Sequence, residues 1–306
     1  MKNYLAVDIG GSKTRIVVFN REGTVAESET KGVGLAFEST SDLPEYREAL
    51  LSVKEKYKIS TVAVNLGGRN SIQVKTVTES VFDGVPCRVV RESEGDAALA
   101  FAKRIGANVV LLAGTGTILI ATSGNQKGIF GGWGMNIGDG GSGYDIGLSA
   151  IRKTLLALDG TAPLTPLEQE ISGLSAPISP VADAATICEM RDAVRARLQH
   201  TDRRAVASLV RRVAEHASNG EMDALALFSD AGEKMGALVV CGARKLRLES
   251  ALTVAATGGL LNVLPYWQSK FENTIITELG ASRFVYEKDG LIRGVMALAK
   301  ELEHEN

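Results

Sequence analysis

Two short stretches of the chain combine glycine, hydroxyl and charged residues in a way that suits the holding of phosphate. The first is Asp8-Ile9-Gly10-Gly11-Ser12-Lys13-Thr14, between the apolar run Tyr4 to Val7 and the β-prone run Arg15 to Phe19. The second is Gly114-Thr115-Gly116-Thr117, between Val109 to Ala113 and Ile118 to Ala121. Glycine lets a backbone approach an anion and present its N–H groups, and hydroxyls add donors. Asp8 contributes a carboxylate of the kind that holds hydrated Mg2+. Taken alone, each stretch fits an ordinary hairpin equally well, and Lys13 fits either a phosphate contact or a solvated turn. What the two share is their place, directly after the first strand of a half. Two other phosphate motifs fail on spacing. A P-loop needs Gly-Lys-Ser/Thr opening a helix, whereas Lys13 follows Ser12; a GxGxxG fingerprint needs glycine where Leu119 stands.

The flanking elements follow from periodicity. Leu43, Tyr46, Leu50, Val53 and Tyr57 share one helical face, with Pro44 in the first turn. Thr61 to Leu66 reads as strand, as does Arg88 to Val90, and Ser93 to Arg104 reads as helix. From residue 109 the opening pattern of strand, glycine turn and strand recurs, which points to an internally duplicated α/β protein. A glycine-dense segment runs from Gly128 to Gly147, and residues 148 to 248 are helical in pattern. The strand Leu252 to Ala256 meets Thr257-Gly258-Gly259, which fits a backbone platform for a flat base or a tight strand-to-helix connection. Gly290 to Glu303 reads as a closing helix.

Composition narrows the class. The 306 residues exceed one ordinary core, so two domains are expected. Apolar residues at 45% and charged residues at 23% are those of a globular protein, and a net charge of -2 gives no reason to expect nucleic acid or an acidic membrane as partner. Cys87, Cys188 and Cys241 form no CxxC pair and read as small buried apolar residues of a reducing, cytoplasmic compartment. Asp8 interrupts the N-terminal apolar run before a signal-peptide core forms, and no run approaches the ~20 residues of a membrane span. Acidic residues interleave the arginines from Arg191 to Arg212, so that stretch reads as a solvated helical face. His200, His216 and His304 lie in charged helical stretches and read as surface residues.

Three motifs in order resemble the BadF/BadG/BcrA/BcrD-type ATPases, which include N-acetylglucosamine kinases. They are Asp8 to Thr14, Gly114 to Thr117, and Gly131-Gly132-Trp133-Gly134 running into Gly138-Asp139-Gly140-Gly141-Ser142-Gly143-Tyr144. The resemblance spans nearly the whole chain and is weakest between residues 160 and 250. It implies a duplicated actin-like (ribonuclease H-like) two-lobe ATPase fold, with Mg-ATP in the interlobe cleft. Residues 1–108 would form the N-terminal lobe, with helix 290–306 returning to it, and 109–289 the C-terminal lobe. Gly10, Gly11, Ser12, Lys13 and Thr14 resemble one phosphate loop of the family; Gly114, Thr115, Gly116 and Thr117 resemble the other, and Gly258 and Gly259 belong to the adenosine loop. Gly132, Trp133, Gly134 and Asp139 match positions that border the sugar. Glu94-Gly95-Asp96-Ala97-Ala98 is similar to the segment that carries the family's catalytic aspartate, which gives Asp96. Four departures bear on the substrate: Gly32 to Leu35 lacks an Asn, Ile118 replaces an Asn, Gly140 a Glu and Asp145 a Trp.

Phosphoryl transfer to a hydroxyl asks for positioning, charge neutralisation and a group to take the hydroxyl proton. With the histidines remote from the motifs, that group is expected to be a carboxylate. By local sequence alone Asp96 is a helix-start residue stabilised by free N–H groups; the resemblance makes it the base. The reading is therefore a sugar kinase using ATP and Mg2+, the metal held by Asp8 through water, with a sugar as substrate and a homodimer left open. The competing reading is an ATPase that couples hydrolysis to a partner protein, for which cysteines should stand beside the phosphate turns.

Overall fold

Strands that are apolar on both faces need cover on both sides, and the chain builds two such sheets. The computed structural model describes residues 2–10, 13–31, 43–67, 71–179, 181–198, 202–248, 252–280 and 282–305. The first sheet comes from β1 (Asn3–Ile9), β2 (Lys13–Phe19), β3 (Thr24–Lys31), β4 (Ile59–Leu66) and β5 (Cys87–Arg91), with helices α1 (Leu43–Lys56), α2 (Ser71–Val81) and α3 (Asp96–Ile105). Its order is β3-β2-β1-β4-β5; β1, β2 and β3 form an antiparallel meander, while β4 and β5 add in parallel.

The second sheet repeats this plan. Strands β6 (Val109–Ala113), β7 (Thr117–Ser123) and β8 (Gln126–Gly131) form the meander. After them come α4 (Gly143–Leu158), α5 (Pro166–Ser172), α6 (Ala184–Leu198), α7 (Arg203–Ser208), α8 (Val210–Ser218) and α9 (Met222–Lys245). Then β9 (Thr253–Thr257), α10 (Leu264–Leu279), β10 (Arg283–Tyr286) and α11 (Gly290–Glu305) complete the chain. The order β10-β9-β6-β7-β8, with β9 and β10 parallel to β6, matches the first sheet strand for strand. The duplication expected from the recurring turns is present in the topology, and the chain has the two-lobe α/β architecture of actin-like ATPases.

Side-chain alternation assigns the layers. Leu5, Val7 and Ile9 of β1 face outward, where Tyr46 and Leu50 of α1 and Val74 of α2 cover them. Tyr4 and Ala6 face inward against Ala97 of α3 and Ile292 and Val295 of α11. The next residues of α3, Ala98, Phe101 and Ala102, pack on Val110, Leu112 and Ile120 of the second sheet. Helices α3 and α11 thus fill the layer between the sheets. Beyond the second sheet lies the largest core, with Phe228 of α9 and Trp267 and Phe271 of α10 fully buried.

Some expectations are corrected. His216 is buried, its ring nitrogens bonded to Glu221 at 2.6 Å and Glu170 at 2.8 Å. Burial opposes its protonation, but those two carboxylates outweigh it and raise its pKa. Cys188 and Cys241 are exposed and Cys87 half-buried, because the first two fall on the solvent sides of their helices. His200 and the Gly32 to Leu35 segment lie outside the described residues. Among the described residues no helix is long and apolar enough to cross a membrane.

The central layer depends on a close helix crossing. A Cβ placed on Gly294 of α11 would lie 1.9 Å from the Ala97 carbonyl oxygen of α3. Overpacking of a filled contact typically costs 1–3 kcal/mol, so Gly294→Ala should lower stability by about 3 kcal/mol and the melting temperature by several degrees. A melting curve that coincides with the wild type would show that the helices do not meet so closely.

Candidate active site

The same alternation that sorts the core also aims the polar residues at the strand ends. In β1 the inward series Tyr4, Ala6 continues to Asp8; in β4, Ala63 continues to Asn65; in β5, Arg88 and Val90 continue to Glu92. Asp8, Asn65 and Glu92 therefore stand inward at the carboxyl ends of three parallel strands, the first two within the last two residues of theirs and Glu92 just past its own, which is where open α/β sheets bind ligands. Asp8 and Asn65 are register partners, and the Asn65 amide donates to Asp8 Oδ1 at 2.9 Å. Behind them the Gly67 N–H donates to the Ile9 carbonyl at 2.7 Å, and a Cβ on Gly67 would lie 3.0 Å from Glu92 Oε2.

In the first turn the Gly10 N–H donates to the Lys13 carbonyl at 2.9 Å; Gly11 and Ser12 lie outside the described residues. Lys13 is exposed and paired with Glu29, whereas Thr14 is fully buried. The second turn is closed by the Gly114 N–H on the Gly116 carbonyl at 3.0 Å. Its other carbonyls are tied back to the glycine-rich loop: Gly114 O accepts from the Gly143 N–H, Thr115 O from Tyr144 and Thr117 O from Gly132. The start of α4 is thereby fastened to the turn, and Ser142 caps it by accepting from the Asp145 N–H.

Asp139 sits beside this turn, only 4% exposed, with φ of 61°. It forms a 2.8 Å ion pair with Arg203 of α7, and both groups crowd the Gly116 Cα. Burial raises the Asp139 pKa, while Arg203 and the N–H groups of Thr117 and Gly134 pull it back. Burial likewise raises Asp8, against the hydrogen bond from Asn65. Glu92 is pushed up to about 7, first by burial and then by the charge of Asp8; Arg203 opposes this and Asp139 adds to it. Glu92 thus senses Asp8 from the first lobe and Arg203 and Asp139 from the second. Asp8 and Glu92 of the first lobe stand across the interlobe cleft from Asp139 and Arg203 of the second.

The residues fit Mg-ATP by two observations. Among the described residues, Thr14 Oγ1, Thr117 Oγ1, Asn65 Oδ1 and Arg203 Nε are buried without a hydrogen-bond partner, one hydroxyl at each turn. Unpaired buried polar groups are costly and rare, so they mark places where a ligand supplies the partner. The acids gathered in the cleft would also repel a triphosphate unless a cation came with it. Among the described residues no group of three or more His, Cys, Asp or Glu is placed to hold a metal, so protein ligation would rest on one carboxylate with phosphate and water completing the shell.

The remaining expected residues differ in their surroundings. Trp133 is 75% exposed, so it does not anchor its loop in the core and its ring face is open. Gly132 and Gly134 flank it with positive φ. Gly258 has φ of 114°, and a Cβ there would lie 2.5 Å from the Ala113 carbonyl oxygen, so the chain passes β6 in a way that only glycine permits. Gly259 opens a 3-10 turn, is exposed, and a Cβ there would meet open space. Asp96 stands apart from the other acids. It is the first residue of α3, after Gly95 in the left-handed conformation, with its oxygens paired to Lys127 at 3.4 Å and Arg88 at 3.7 Å.

Sequence reasoning missed Glu92, Asn65 and Arg203. Arg203 falls in a stretch that reads as a solvated face, yet α7 turns it inward; Asn65 shows in the inward alternation of β4, and Glu92 only when that of β5 is extended past its end. Of the departures from the family pattern, Ile118 is buried, Gly140 faces Lys234, and Asp145 pairs with that lysine at 2.9 Å. A hollow of about 400 Å³ between Lys2, Tyr4, Arg21, Glu22 and Glu303 lies at the other end of β1 and is bridged by the Lys2–Glu303 pair.

Arg203→Met would leave Asp139 buried without its cation. Breaking a buried pair costs about 3–5 kcal/mol, and the partial exposure of Arg203 argues for the lower value. A carboxyl whose folded pKa is raised lends stability below its unfolded value of about 3.9 and loses it as pH rises through the folded value. The variant raises that pKa further, so its deficit relative to wild type should grow from about pH 5 to pH 8 in urea titrations. An equal deficit at both would show that Asp139 does not depend on Arg203.

The chain matches the BadF/BadG/BcrA/BcrD ATPase family over residues 5–280. It is 23% identical to the N-acetylmuramic acid/N-acetylglucosamine kinase of Clostridium acetobutylicum, with 98% of this chain and 99% of the relative covered. It is 28% identical to the N-acetyl-D-glucosamine kinase of Dictyostelium discoideum over 54% of this chain and 58% of the relative. In fold it is similar to a ROK family glucokinase from Streptomyces griseus crystallised with glucose and AMPPNP, with a TM-score of 0.61, 15% identity, and 98% and 99% of the two chains covered. With the match running through both phosphate turns, the Trp133 loop and the Gly258 platform, the chain belongs to the BadF/BadG/BcrA/BcrD ATPase family.

Proposed function

We propose that the protein is an ATP-dependent sugar kinase that moves the γ-phosphoryl group of Mg-ATP to a hydroxyl of a hexose or amino sugar. The observation that supports this reading is the approach of Asp8 and Glu92 on one lobe to the Asp139–Arg203 pair beside the second turn on the other. Gly10 to Thr14 and Gly114 to Thr117 grip the phosphates from opposite lobes, and Gly258 and Gly259 carry the adenine. Asp8 holds Mg2+ through water; the cation neutralises charge on the phosphates. Gly132, Trp133, Gly134 and Asp139 shape the sugar site, with the open indole face against the ring. Asp139 accepts from sugar hydroxyls, and its left-handed backbone keeps the carboxylate beside the second turn. A carboxylate from the segment between β5 and α3, where the family pattern points to Asp96, takes the hydroxyl proton.

The name of the full-length Clostridium relative supports an amino sugar as acceptor. Two solvent-exposed free cysteines suit a reducing, cytoplasmic setting. The rival reading, hydrolysis coupled to a partner protein, draws no support from the cysteines, which lie on β5, α6 and α9 rather than on the turns.

A coupled ADP-release assay over glucose, N-acetylglucosamine, glucosamine, mannose, N-acetylmuramic acid and other sugar acids tests the reading. At least one acceptor should accelerate ADP release well above basal hydrolysis and yield a sugar phosphate by mass spectrometry. Asp8→Asn should lower the rate or the Mg2+ affinity by about 10–100-fold, the usual effect of losing a group that orients a metal's shell. If no hydroxylated acceptor raises ADP release, the kinase reading is wrong.

A further inference from the structure

We infer that Glu92, and not Asp96, is the group that takes the proton of the acceptor hydroxyl. The inference rests on the kinase reading and assigns its base.

The two acids are four residues apart but leave the sheet in different directions. Glu92 is the next inward position after Val90, at the carboxyl end of β5, against the Gly67–Ile9 backbone bridge beside the first turn. It is half-buried, and its carboxylate has no hydrogen bond or ion pair with any described residue. The groups whose charge reaches it are Asp8 from β1, Asp139 from the glycine-rich loop and Arg203 from α7.

Asp96 is carried away by the turn that follows. Glu92–Glu94 forms a 3-10 turn in which the Glu94 carboxylate accepts from the Arg91 N–H, and Gly95 then reverses the backbone in the left-handed region. Both Asp96 oxygens are taken, one by Lys127 of β8 and one by Arg88. Arg88 precedes Glu92 by four residues on the same face of β5, roughly 13 Å back along the strand at its ordinary rise. A base needs an available carboxylate aimed at the site; Glu92 has one facing Asp8, Asp139 and Arg203, whereas the Asp96 carboxylate is drawn toward Arg88 and Lys127.

The other acids in the cleft are engaged. Asp139 is committed to Arg203 and to two backbone N–H groups, and Asp8 accepts from Asn65. In the step that follows, a lone pair of the sugar hydroxyl oxygen forms a bond to the γ-phosphorus, and the O–H proton passes to Glu92. The bond between the γ-phosphorus and the β,γ-bridging oxygen breaks, and ADP leaves with its electron pair.

The test compares Glu92→Gln, Glu92→Asp and Asp96→Asn, using the acceptor that the wild type turns over best. Removing a general base costs about 10²–10⁴-fold, so Glu92→Gln should lose that much kcat while binding ATP within about threefold of wild type by calorimetry. Glu92→Asp, which keeps the carboxylate, should recover part of the loss, and Asp96→Asn should retain more than about a tenth of wild-type kcat. Should Glu92→Gln fail to fold, Glu92→Asp must still fall at least about tenfold in kcat with KM for ATP unchanged. Wild-type-like turnover by Glu92→Gln, or loss confined to Asp96→Asn, overturns the assignment and gives the base to Asp96. A wild-type protein that transfers phosphate to no acceptor overturns the kinase reading, and the assignment with it, before any variant is compared.

Discussion

Helices α3 and α11 occupy the layer between the two sheets, and the geometry of the cleft depends on how closely they pass. Each helix has two apolar faces. Ala97 turns toward the first sheet while Ala98 and Phe101 turn toward the second, and Leu291 touches both clusters. Gly290 meets the Phe101 ring and Gly294 meets the backbone of Ala97, so there is no slack between the helices. A thin, stiff central layer holds the two sheets at a fixed spacing below the cleft. Both turns emerge above it, where the strands end and the apolar cover stops.

The cleft inherits its polarity from that arrangement. Inward positions are apolar as long as α3 and α11 cover them and become polar just beyond, as in Ala6 to Asp8, Ala63 to Asn65 and Val90 to Glu92. The second lobe does the same with small residues and hydroxyls at Gly114 to Thr117 and brings Asp139 and Arg203 to its rim. Carboxylates near one another resist ionisation. The resulting pull of Asp8 and burial on Glu92, and of burial on Asp139 against Arg203, gives three acids three different environments. One is open, one is held by an amide and one is clamped by a guanidinium, so they are equipped for different tasks.

Several features were legible in the residues themselves. The two glycine turns, the recurrence of strand, turn and strand at residue 109, the glycine pair after β9 and the closing helix all showed as local pattern, because each depends on period, glycine content or β-branching over a few residues. Local pattern could not show that α7, in a stretch where arginines and acids alternate, would turn Arg203 inward. Nor could it show that His216 would be clasped between Glu221, just after its helix, and Glu170, 46 residues away. Those outcomes depend on which helix faces reach a common core, a matter of packing across 40 residues or more rather than of periodicity within one helix.

The Glu92 to Asp96 segment shows the boundary most clearly. Sequence alone determined that a strand over Arg88 to Val90 would be followed by a helix from Ser93, with acids at the junction, and the family resemblance pointed to Asp96 among them. Which of them faces the cleft was decided by tertiary structure. The inward register of β5 delivers Glu92 to the cleft, while a 3-10 turn and a left-handed glycine deliver Asp96 to Arg88 and Lys127. A side chain's type is written in the sequence, but the direction it faces depends on the register of its strand and on the neighbours that hold it, and both come from distant parts of the chain.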